Sequence, residues 1–130
     1  MPAPTVATYS LDAIVGAHTG FKTLIDSGGA AGSIKIRSAA DVLLAQVPLA
    51  YPCGTVSGTT GQLTLSIAGP DTAADAAGTA AYAEVCTSAG AVKLSMPAVA
   101  GASAVSGFVV FNTLSIVAGG PVEVLSAVVG

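Results

Sequence analysis

The stretch FVVFNTLSIVAGGPVEVLSAVV, Phe108 to Val129, holds a single acid (Glu123), no base, and a Gly119-Gly120 pair between two apolar runs. Such a run can form a membrane helix, a glycine-rich catalytic loop, or two strands joined by a turn. A spanning helix needs about 20 mainly apolar residues in one piece. Here Asn112-Thr113 and the glycine pair cut the run, and Pro121 follows directly. Proline fixes its own φ and biases Gly120 toward extended geometry. Past it, Val122 and Val124 fall on one face and Glu123 on the other, which is the period of a strand. The stretch therefore reads as strand, turn, strand. FVVFNTLSIV is expected as one long or bent strand interrupted near Asn112-Thr113, and PVEVLSAVV as the closing one.

The same period governs most of the chain. In SIKIRS, Ile34 and Ile36 oppose Lys35 and Arg37, and in QLTLSI, Leu63, Leu65 and Ile67 oppose Thr64 and Ser66. AVKLSMPAV places Val92, Leu94 and Met96 opposite Lys93 and Ser95. DVLLAQVPL reads as a further strand, with Pro48 at its end or at a sheet edge. YPCGTVSGTTG reads as a turn-rich connection and GPDTAADAAG as a loop before the strand TAAYAEVC. One segment has the helical period instead: Leu11, Ile14, Val15, His18, Phe21, Leu24 and Ile25 form a single stripe, begun by Ser10 or Asp12 and ended by Gly28-Gly29. The expected organisation is a flexible N-terminal arm over residues 1–9 and one β-rich domain over 10–130, with a helix at about 12–26. The fold class is mainly β: an antiparallel β-sandwich or barrel-like domain with one short N-terminal helix.

Composition narrows the function. Charged residues make up only 8% of the 130, aromatics 5%, and apolar residues 52%, where about 25% charge is ordinary. Lys22, Lys35, Arg37 and Lys93 are the only fixed positive groups, and the formal charge is -3. Four dispersed bases do not make a phosphate-binding face, so direct nucleic-acid binding is not expected. So neutral a surface fits either an Ala- and Gly-rich genome or burial against neighbours in an assembly. The charge-free segments Val42–Pro70 and Leu94–Val122 are both broken by Pro and Gly, so no membrane span is expected. MPAPTVATYS lacks the basic start of a signal peptide.

Residues that carry chemistry are thin on the ground. His18, the one imidazole, sits on the helical stripe and reads as a partly buried or interfacial residue. Asp71 and Asp75 lack the EF-hand pattern and read as loop caps. SGGAAGS, Ser27 to Ser33, lacks the Gly-Lys-Ser/Thr of a P-loop and follows a helix instead of opening one. Cys53 and Cys86 have no metal-ligand or redox spacing, and free thiols are favoured over a disulfide. No enzyme, cofactor or metal is expected. Lys35 and Arg37, on the polar face of their strand, either pair with acids of another subunit or keep a sheet edge soluble.

Two segments resemble a widespread family of tailed-phage and prophage virion structural proteins. ADAAGTAAYAEVCTSAGAVKLSM, Ala74 to Met96, is similar to its Ala-Asp-x-x-Gly-Thr-Ala stretch with an aromatic and two strands. NTLSIVAGGPVEV, Asn112 to Val124, resembles its closing Asn-Thr-x-x-Ile…Ala-Gly-Gly signature. Lys35-Ile36-Arg37 and Leu43-Leu44-Ala45 resemble its first two strands. The chain departs from the family at Tyr82 (usually Trp), Glu84 (often basic) and Pro121 (a hydroxyl residue). The resemblance implies a capsid decoration, or cement, protein on the outer surface of the virion, made in a bacterial cytoplasm. Its implied partners are the major capsid protein and copies of itself, a trimer being the expected oligomer. Pro2, Pro4, Tyr9, Lys35 and Arg37 are the expected assembly contacts. The alternatives are a head-tail connector, tail or baseplate component and, in another class, a secreted β-sandwich glycan-binding module.

Overall fold

The computed structural model describes residues 10–129. Helix α1 (Leu11–Ile25) opens the chain. Nine strands follow: β1 (Ser33–Arg37), β2 (Leu43–Val56), β3 (Leu63–Ile67), β4 (Gly78–Thr79), β5 (Tyr82–Cys86), β6 (Val92–Ala100), β7 (Val109–Phe111), β8 (Ser115–Ile116) and β9 (Ser126–Val129). Seven of them close a barrel in the order β1-β2-β3-β9-β7-β6-β5, and β4 and β8 form a separate two-stranded sheet. Of the two architectures expected, the barrel is the one found. Closure comes from β1 pairing antiparallel with β5 over all five of its residues, Ser33↔Cys86 through Arg37↔Tyr82. One pairing departs from the antiparallel scheme: β6 and β7 run parallel, Ala98↔Val109 to Ala100↔Phe111.

Period-two alternation places the core. Ile34 and Ile36 of β1, Leu63 and Leu65 of β3, Ala83 and Val85 of β5, and Val109 and Phe111 of β7 are all buried in the interior cluster. Each large aliphatic side chain so buried is worth about 1.5–3 kcal/mol relative to exposure. Val122 and Val124 are buried and Glu123 is exposed, as their alternation requires, although they precede β9. Val122 forms an isolated bridge to Asp71 instead of joining a strand.

Three sequence expectations change. YPCGTVSGTTG is not a connection: strand β2 runs through Pro48 and Pro52 to Val56. It serves two neighbours in turn, pairing with β1 from Leu43 to Pro48 and with β3 from Leu49 to Val56. Between Leu49 and Gly54 the register shifts and the chain bulges outward, leaving Tyr51 exposed. Bulges are how a sheet turns the corner of a barrel, and they let a strand carry prolines. Gly54 ends the bulge where only glycine fits, since a Cβ there would lie 2.4 Å from the Thr64 carbonyl oxygen.

The second change is in FVVFNTLSIV. It is split between two sheets, β7 in the barrel and β8 beside β4. Asn112 and Thr113 mark the point where the chain leaves one for the other. The turn beyond is as expected: Gly119 has φ +77° and the Gly120 N–H donates to the Val117 carbonyl at 2.9 Å.

The third concerns α1. Ile25 alone of its stripe is fully buried; Ile14, Val15, His18 and Phe21 are half-buried, and Leu11 and Leu24 are 44% and 43% exposed. The helix lies against β2 and β3 and joins the core only at its C-terminal end, through Ile25 and the half-buried Phe21. Its start is fixed locally. The Ser10 hydroxyl donates to the Asp12 carboxylate, which also accepts from the Ala13 N–H. These bonds hold the Asp12 carboxyl below its ordinary pKa, a favourable charge at a helix N-terminus.

Candidate functional site

The expected assembly bases lie on the outer face of β1. The register sets Lys35 opposite Glu84 and Arg37 opposite Tyr82, so Arg37 and Glu84 are diagonal neighbours. Arg37 Nε donates to Glu84 Oε1, and a second guanidinium N–H donates to the Asp41 carbonyl at 3.1 Å. The Tyr82 hydroxyl donates to Asp41 Oδ1 at 2.7 Å. Asp41 takes φ 65°, a left-handed geometry that Asp tolerates in tight turns. Tyr82 and Arg37 thus strap the β1–β2 turn to β5. The bond to Glu84 raises the Arg37 pKa, and the bond to Asp41 raises that of Tyr82. Arg37 accordingly has its acid within its own chain. Nor does β1 form an edge, because it is hydrogen-bonded on both sides. Lys35 remains half-buried on that outer face. Pro2, Pro4 and Tyr9 lie outside the described residues.

Helix α1 is tied down at its middle and at its C-terminal end. His18 Nδ1 donates to the Gly61 carbonyl in the β2–β3 turn, so that nitrogen carries the proton. Gly61 has φ +75°, and a Cβ there would lie 2.5 Å from Ile14 Cγ2. At the C-terminal end, both Asp26 oxygens accept from the Cys53 N–H, at 3.1 and 3.2 Å. Cys53 and Cys86 are free and buried. Burial, then the Asp26 charge, pushes the Cys53 thiol up to about 11, and burial raises Cys86. Neither is a thiolate at neutral pH, so neither is armed as a nucleophile. Among the described residues no three His, Cys, Asp or Glu side chains gather as a metal site.

A cleft of about 470 Å³ opens on the outer face of β1 and β2, walled by the loop that follows β3. Its lining includes Gly32, Ser33, Gln46, Pro48, Asp71 and Asp75. Gln46 Nε2 donates to Ser33 Oγ at 2.9 Å across the strand pair. Asp71 accepts from the Gln46 N–H at 2.9 Å through one oxygen and from the Ala73 N–H at 3.0 Å through the other. This is the loop-capping role its position in GPDT suggested. The loop is held further by the paired backbone bonds between Asp71 and Val122 and by Asp75 N–H on the Leu44 carbonyl. Sequence reasoning found the loop but not the cleft, since Asp71 is 25 residues from Gln46 and no local pattern joins them.

The rest of the surface is notable for its apolar side chains. Besides Leu11 and Leu24, Val42, Val92, Val105, Val117 and Leu125 are exposed, Val117 at 68%. Among the described residues no helix is long and apolar enough to cross a membrane. No family model, curated protein or solved structure matches the chain.

Proposed function

We propose that this protein is a non-enzymatic structural component of a phage virion, a decoration or cement protein that binds the outer capsid lattice and stabilises it. The observation that carries this reading is a closed barrel that still exposes large aliphatic side chains on a surface nearly without charge. A closed barrel leaves little edge for strand addition, so association has to run through side-chain surface. Many modest apolar contacts, repeated by symmetry, suit an ordered lattice. The resemblance of Ala74–Met96 and Asn112–Val124 to virion proteins supports the same reading. It also suggests the partners, the major capsid protein and further copies in a trimer.

Electron microscopy of particles made with and without the gene tests the assignment. The expected result is added density on the outer capsid face, and lower thermal stability of particles that lack it. Density at the connector, tail or baseplate would replace the decoration role with that one. Absence from particles would overturn both.

A further inference from the structure

We infer that the cleft between β1, β2 and the loop after β3 is a binding site for a neutral saccharide. The argument is one of matching donors and acceptors. Gln46 Nε2 uses one proton on Ser33 Oγ, which leaves its second N–H and its carbonyl oxygen to the cleft. Ser33 accepts in that bond and keeps its own hydroxyl proton to give. Asp71 spends a lone pair of each oxygen on a backbone N–H and retains others, and Asp75 is an exposed acceptor on the same wall. The lining therefore mixes donors and acceptors within one small space.

That mixture selects among ligands. A phosphate or sulfate only accepts, and two carboxylates with no base in the lining repel it. A guanidinium or ammonium only donates, and would leave the Ser33 hydroxyl and Gln46 amide protons unmatched. Sugar hydroxyls both donate and accept, and they match both kinds of group at once. Beside the polar groups, the exposed ring of Pro48 offers C–H surface to the C–H face of a sugar. The volume suits one or two sugar rings.

Among the described residues no aromatic side chain lines the cleft, so ring stacking does not add to the affinity and binding to a single copy is weak, in the millimolar range. Display on a lattice would raise the effective affinity by about 10²–10⁴-fold through multivalency. Only that avidity rests on the virion reading; the site itself does not.

The test is a nuclear magnetic resonance titration of the isolated, isotope-labelled protein with maltose, lactose and chitobiose, and separately with sodium sulfate and arginine hydrochloride. The expected result is a saturable shift of the Gly32, Ser33, Gln46, Ala73 and Asp75 amides with at least one sugar and with neither salt. Gln46→Ala and Asp75→Ala should each weaken binding by about fivefold to tenfold, the worth of one hydrogen bond, with the rest of the spectrum unchanged. Asp75→Asn, which keeps an acceptor, should retain most of the binding. The inference fails if no sugar gives saturable shifts, if the shifts map elsewhere, if arginine alone binds, or if both alanine variants bind as the parent does.

Discussion

Asp26 illustrates how a single side chain can look misplaced until its tertiary partner is known. It sits at the C-cap of α1, where a negative charge opposes the helix dipole. Its carboxylate is there to accept from the N–H of Cys53, a fully buried residue in the β2 bulge that the β2–β3 register skips. Asp26→Ala should cost about 1–3 kcal/mol in urea unfolding, the penalty of a buried donor left unmatched. Asp26→Asn, which keeps an accepting oxygen, should recover much of that loss. Equal stability of the parent and the alanine variant would show that this bond does not hold the bulge. Arg37 teaches a related lesson. Its alternation with Ile36 placed it outside, yet its choice of Glu84 and Asp41 depends on β5 and on the turn, which no local pattern reveals.

At the scale of the element, α1 is the least committed part of the fold. Its inner face is anchored through Ile25, His18 and Asp26, while its outer face carries Gly16 and Gly20 over open space. Glycine in an exposed helix interior costs roughly 0.5–1 kcal/mol relative to alanine. Gly16→Ala and Gly20→Ala together should therefore stabilise the isolated protein by about 1–2 kcal/mol, read as a higher unfolding midpoint. No gain would mean that the helix frays at these positions before the barrel unfolds. Strand β2 is the opposite case. Its prolines argued for a break, but a bulge and two different pairing partners keep it continuous, and Gly54 marks where its backbone presses on β3.

At the scale of the molecule, four bases and seven acids in 130 residues leave electrostatics little to do. The single ion pair among the described residues, Arg37–Glu84, is partly solvated, and such pairs contribute about 0–1 kcal/mol. Raising sodium chloride from about 0.05 to 1 M should thus change the unfolding free energy by less than about 0.5 kcal/mol. A larger loss would reveal a charge network beyond that pair. From the amino-acid sequence alone come the β class, the N-terminal helix, the Gly-Gly turn, and the buried alternation of Ile34 and Ile36, Leu63 and Leu65, and Val122 and Val124, because each rests on residue type and short-range period. Barrel against sandwich, the split of residues 108–117 between two sheets, the parallel β6–β7 pair, and the meeting of Ser33, Gln46 and Asp71 were decided only by tertiary structure. Periodicity says which face of a strand is buried but not which strand lies beside it; that follows from closing the sheet, which joins residues far apart in the chain.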